Sequence, residues 1–228
     1  MMRVLLLLSL GFLAACEPVK IEPESPTEAV NRAAGAMVSK TPVTTLAVYQ
    51  CGPELRLVVE VREQSAWVFL PERSLPLTQV VAASGARYQG DGVSLWSKGE
   101  RAMLELDGVE QPECKADRRQ ATWERAKLAG AEFRALGQEP AWVLELYPKR
   151  LLLQLDYGQT RIETSAVAVK EDATTGVRRY EIETEVHHLV IELRDQLCRD
   201  TMSDEQFPVS VQLSVNGRSL NGCGRSLR

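Results

Sequence analysis

Residues 84–114 read SGARYQGDGVSLWSKGERAMLELDGVEQPEC. Ser84-Gly85 opens a turn and Gly90-Asp91-Gly92 makes a second. Val93 and Leu95, then Ala102, Leu104 and Leu106, recur at every other position, the period of two strands with one buried face. Lys98-Gly99 lies between those strands at a hairpin tip. Ser84, a hydroxyl, and Lys98, a cation, therefore both sit on loops, where a rigid scaffold presents function.

Working outward, Tyr49-Gln50-Cys51, Ser84-Gly85-Ala86-Arg87-Tyr88, Trp96-Ser97-Lys98-Gly99 with Ala102, and Cys114 together resemble the membrane-bound inhibitors of c-type lysozyme, a family of bacterial envelope lipoproteins. The resemblance covers residues 46–116, about a third of the chain. It implies a small antiparallel β-barrel. It also implies that the serine of the first motif and the lysine of the second contact lysozyme; those positions are Ser84 and Lys98. Gly85, Tyr88, Trp96 and Gly99 would support the loops.

Upstream, Leu55, Leu57 and Val59 alternate with Arg56, Val58 and Glu60. Ala66 to Leu70 and Leu75 to Ala82 follow, punctuated by Pro53, Pro71, Pro76 and Glu72-Arg73-Ser74. Short strands at this spacing suggest a barrel or sandwich. Trp67, Trp96 and Tyr88 are expected in core or rim packing.

Met1 to Ala15 reads as a signal peptide, with Arg3 as the positive start and Val4 to Phe12 as the apolar core. It ends Leu13-Ala14-Ala15-Cys16, which looks like a lipobox, so Cys16 is expected to carry the lipid anchor. Each buried CH₂ of such chains contributes about 0.8 kcal/mol to membrane attachment. Glu17, rather than Asp, after the cysteine favours the outer membrane, facing the periplasm. Residues 16–45, with Pro18, Pro23 and Pro26, read as a tether, and Ala29 to Val38 has weak helical character.

The chain has 228 residues, 44% of them hydrophobic, enough for one large or two small domains. Its charge is mixed, with no basic run, which argues against nucleic acid as a partner. Setting Cys16 aside leaves Cys51, Cys114, Cys198 and Cys223, which allow three pairings. Two cysteines fall in each candidate domain, so Cys51–Cys114 and Cys198–Cys223 is the economical choice in an oxidising compartment.

Lys115 to Gly137 changes character: Ala121 to Ala129 favours helix and Gly130 stops it. We divide the chain into a signal peptide (1–15), lipidated tether (16–45), first β domain (46–116), partly helical connector (117–132) and second β domain (133–228). In the last, strands are expected at Trp142–Tyr147, Leu151–Asp156, Arg161–Val169, Tyr180–Glu185, Leu189–Arg194, Val209–Val215 and Arg218–Gly222. Asn216-Gly217 is a hairpin turn signal. The expected fold class is all-β, two small antiparallel barrels or sandwiches. Phe133 to Trp142, Cys198 to Pro208 and Asn221-Gly222-Cys223 resemble an uncharacterised family of small bacterial envelope domains, which implies no defined activity.

His187 and His188, adjacent on a strand, would face opposite ways and do not converge on a metal. Ser203 and Gln206 stand at capping-box spacing, a helix or turn start. No metal site, cofactor or enzymatic motif is read from the chain.

What the resemblance implies chemically is inhibition. A c-type lysozyme works with a protonated general acid and an ionised carboxylate in one cleft. An ammonium beside the acid favours its ionised form and removes the catalytic proton. A hydroxyl donated to a carboxylate satisfies a group that docking would leave dry. Residues 46–116 hold ten acidic and seven basic side chains, a net of −3, which would steer encounter with a basic lysozyme. The rival reading places the working role in residues 133–228, as a periplasmic ligand-binding or envelope interaction module.

Overall fold

The computed structural model describes residues 45–165, 169–172 and 175–228. The expected signal peptide, the lipidated Cys16, nearly all of the tether and the weak helix at Ala29 to Val38 lie outside the described residues. The first β unit is built from β1 (Thr45–Cys51), β2 (Leu55–Arg62), β3 (Ser65–Phe69), β4 (Ser74–Val80), β5 (Ala86–Gly90), β6 (Val93–Lys98), β7 (Arg101–Leu106), β8 (Val109–Glu110) and β9 (Cys114–Ala116). Sequential strands pair antiparallel from β1 to β7, β7 pairs with β9, and β9 returns to β1. Eight strands thus close into a barrel, and β8 is a short extension paired to β7. Closure pairs each of those eight strands on both sides, which removes the long open edges that template aggregation.

Alternation fills the barrel. Leu57 and Val59, Ala66 and Val68, Leu75 and Leu77, Leu95 and Leu104 are buried within it. Cys51 stands opposite Cys114 in the β1–β9 register, and their disulfide fastens the seam where first and last strands meet. Asp91 and Gly92 both take positive φ, 44° and 73°, as a two-residue hairpin turn requires.

One side chain departs from expectation. Trp67 is not a core or rim residue: Ala66 and Val68 take the inward positions of β3, so the two-residue period turns Trp67 and Phe69 to the outer wall. There each is 36% exposed and their rings stack 6.5 Å apart. Glu60, opposite Trp67, is buried and pairs with Arg62 at 2.8 Å.

Helix α1 (Arg118–Leu128) begins earlier than expected, because Asp117 caps it by accepting the Gln120 amide at 2.9 Å. Gly130, at φ 89°, follows its end. The Asp117 N–H donates to the Val48 carbonyl of β1 at 2.7 Å. The packed face of α1 belongs to the second unit: Trp123 is buried, stacks on Phe207 at 5.3 Å and lies under the guanidinium of Arg225.

That second unit contains β10 (Phe133–Gln138), β11 (Ala141–Tyr147), β12 (Arg150–Leu155), β13 (Thr160–Ser165), β14 (Val169–Asp172), β15 (Val177–Glu183), β16 (His188–Arg194), β17 (Cys198–Arg199), β18 (Gln206–Phe207), β19 (Val209–Val215) and β20 (Arg218–Ser226). Nine of these form an antiparallel half-barrel in the order β13-β12-β11-β10-β20-β19-β16-β15-β14. Leu144, Leu151, Leu153, Leu189, Ile191, Leu193 and Leu213 fill its inner face. The seven expected strands are present, with residues 166–168 of Arg161–Val169 outside the described residues, and β10, β14 and the short β17 and β18 are added. β10 escapes a propensity reading because Ala135, Leu136 and Gly137 are poor strand formers. Gly137 is needed there: a Cβ would lie 2.1 Å from Trp142 Nε1, and one on Gly222 2.5 Å from Trp142 Cζ2, so the indole lies across both strands.

The β17–β18 hairpin is held to β20 by the Cys198–Cys223 disulfide. Ser203 starts no helix; it sits in the turn of this hairpin, where its hydroxyl donates to Asp200 and accepts the Glu205 amide. Both disulfides match the economical pairing. Among the described residues no helix is long and apolar enough to cross a membrane.

Candidate functional site

The two sequence motifs meet at one place on the barrel. Ser84 and Gly85 precede β5, while Lys98 ends β6 and Gly99-Glu100 turns into β7. Pairing of Ala86 with Ser97 sets the segments side by side. Gly85, at φ 70°, is pressed against the neighbouring strand: a Cβ there would lie 2.2 Å from the Ser97 carbonyl oxygen and 3.2 Å from Lys98 Cβ. Gly99 differs. Its φ is 61°, but the space around it is open, so glycine serves the turn and not a close approach.

Ser84 is half-buried and Lys98 exposed. The indole N–H of Trp96 donates to the Ser84 carbonyl at 2.7 Å, tying the first loop to the second strand. Among the described residues neither the Ser84 hydroxyl nor the Lys98 ammonium has a partner. Glu100, the nearest carboxylate in sequence, is held by Arg118 at 2.6 Å. The arrangement places Ser84 and Lys98 on adjoining segments whose backbones are fixed to each other.

That base is aromatic. Tyr49 and Tyr88 are both buried. Burial pushes the Tyr49 phenol above its ordinary value of 10.0, against the lowering effect of its hydrogen bond with the Ser97 hydroxyl. Burial likewise raises Tyr88. Ser97 also donates to the Ala86 carbonyl at 3.4 Å. The sequence reading placed Tyr88 correctly in the packing but overlooked Tyr49 and Ser97 as loop supports. The signal was present, since both residues belong to the quoted motifs.

Local charge was also missed. Lys98 pairs in register with Arg101, and Arg101 with Lys115, so three basic residues form a row across β6, β7 and β9. Glu113 offsets Arg101 at 3.2 Å. The net negative charge of residues 46–116 therefore does not describe the surface beside Lys98.

Elsewhere, His187 lies in the turn before β16 and His188 opens that strand, 3.5 Å from Glu181 and 3.7 Å from Glu183. Among the described residues no three His, Cys, Asp or Glu side chains cluster as metal ligands.

Residues 49–112 match the model of the family described as membrane-bound lysozyme-inhibitor of c-type lysozyme. A protein of Yersinia enterocolitica (strain NCTC 13174 / 8081), named membrane-bound lysozyme inhibitor of C-type lysozyme, is 38% identical over 60 residues, covering 26% of this chain and 51% of that protein. The chain thus spans about half the length of the curated relative it matches. No solved structure matches the chain. The family match falls on the closed barrel, includes both Ser84 and Lys98, and leaves the half-barrel outside it.

Proposed function

We propose that the closed barrel inhibits c-type lysozyme, with the loops at Ser84 and Lys98 entering the enzyme's cleft. The observation that supports this is the close approach of the two motifs at Gly85, which brings the Ser84 and Lys98 segments side by side. Lys98 would sit beside the general acid and favour its ionised form, so the proton needed for glycosidic cleavage is lost. Ser84 would donate to a carboxylate that docking strips of water. The neighbouring Arg101 and Lys115 add positive potential toward an acidic cleft. Gly85, Tyr88, Trp96 and Gly99 hold the loops and need not touch the enzyme.

In this reading the protein is a stoichiometric binder, not a catalyst. Its N-terminus carries a lipid on Cys16 and fixes it to the cell envelope, at the outer membrane facing the periplasm, where it protects peptidoglycan. Titration of the purified protein into a c-type lysozyme assay tests the proposal. Loss of lytic activity at equimolar protein is expected; full activity with the protein at micromolar excess would end it.

A further inference from the structure

The half-barrel carries two adjoining hollows on its outer face, which together make a groove interrupted where Cys223 is buried under the β17–β18 hairpin. Gln154, Val143, Leu136, Cys223, Ser210 and Arg194 stand in one cross-strand row, each opposite the next in register. The row crosses six strands, β12 to β16, a span of about 24 Å at ordinary strand spacing. Two hollows of about 370 and 450 Å³ lie along it and share Leu136, Gly137 and Gln138. The β17–β18 hairpin, held by its disulfide, walls the first.

The lining has a definite chemistry. Four carboxamides face the groove: Gln154, Gln138, Asn221 and Gln212. Gln138 donates to Asp200 at 3.4 Å and Gln212 accepts from Arg194 at 3.2 Å. Among the described residues Gln154 and Asn221 keep their amides without a protein partner. Formal charge is balanced, Arg194 and Arg199 against Glu139 and Asp200. At the far end Tyr157 is 85% exposed and, with Asp156, holds a positive φ that non-glycine residues seldom adopt.

A balanced charge favours neither a polyanion nor a polycation. The amide-rich wall does not suit a lipid. Carboxamides donate and accept at once, matching hydroxyl and acetamido groups, and an exposed aromatic face packs against the C–H side of a sugar ring. We propose that this groove binds a glycan strand of N-acetylhexosamine type, laid across the strands with one ring on Tyr157. The site is independent of the barrel rim and stands whether or not the barrel inhibits lysozyme.

The full chain is titrated with a soluble N-acetylglucosamine oligomer by calorimetry and sedimented with insoluble peptidoglycan. Binding in both is expected. Asn221→Ala, Gln154→Ala and Tyr157→Ala alter exposed or half-exposed side chains, so melting temperature should hold while affinity for the oligomer falls about fivefold each, one hydrogen bond or contact apiece. Lys98→Ala should leave oligomer binding unchanged, and the groove variants should leave any lysozyme inhibition unchanged. The proposal is overturned if the oligomer and peptidoglycan both fail to bind, if binding survives the triple variant, or if a peptidoglycan stem peptide binds in place of the glycan.

Discussion

The indole N–H of Trp96 donates to the carbonyl of Ser84 at 2.7 Å, so a residue in the second motif sets the position of the first. Trp96→Phe keeps the ring and removes the donor. The barrel should melt within a few degrees of the parent, while lysozyme binding weakens about fivefold, the effect of one hydrogen bond. Surface plasmon resonance should show the change in dissociation rate. An unchanged rate would mean that the loop holds its place without Trp96.

Lys98 is exposed and, among the described residues, its ammonium has no hydrogen bond or ion pair to lose. Lys98→Ala should unfold at the same urea concentration as the parent. Inhibition should weaken roughly thirtyfold or more, as when one member of a buried charge pair is deleted. Lysozyme titration with both proteins separates these effects.

Gly85 and Gly99 both have positive φ, but only Gly85 is crowded. Alanine at position 99 should cost about 1 kcal/mol, from backbone conformation alone. Alanine at position 85 should cost more and displace Ser84, because the added carbon meets a backbone oxygen that cannot swing aside. Urea denaturation ranks the two, and equal losses would contradict the packing described.

The disulfides constrain loops of different length, with sequence separations of 63 and 25. On the chain-entropy model the first contributes about 4 kcal/mol and the second about 3.5. Replacing Cys51 and Cys114 by alanine should lower stability by that order and free the β1–β9 seam. Hydrogen exchange at Tyr49 and Lys115 should then rise first.

Tyr49, Tyr88 and Tyr147 have phenols raised above 10.0, each chiefly by burial. A raised folded pKa gives stability that is complete below the unfolded value and is lost as pH climbs through the folded one. The protein should therefore hold its melting temperature up to about pH 10 and lose it steadily above. In a Tyr157→Phe, Tyr180→Phe chain, which keeps only these three rings, phenolate absorbance should appear together with unfolding. Phenolate forming at pH 10 while that chain stays fully folded would contradict the burial of these rings.

Much of this fold was legible in local patterns. Val93-Ser94-Leu95 and Ala102-Met103-Leu104 alternate because one face is buried, and Asp91-Gly92 and Asn216-Gly217 announce hairpins by accepting positive φ. Cysteine positions alone suggested the two bridges. Trp67 was misjudged because alternation names two faces without saying which is inside, and large aromatics draw the eye inward. β10 was missed because its glycine answers to Trp142 on the next strand, a partner that propensity cannot see.

By itself, then, the order of residues determined where strands run, where they turn, and that Ser84 and Lys98 lie on loops. Those features depend on neighbours a few positions away. Tertiary structure alone decided that β9 returns to β1, that Gly85 lies against Lys98, and that Arg101 and Lys115 stand in register with Lys98. It also decided that Gln154 and Arg194, forty positions apart, end one continuous row. Which antiparallel strands become neighbours follows from closing a sheet around a shared core, and that is a property of the whole unit rather than of any window within it.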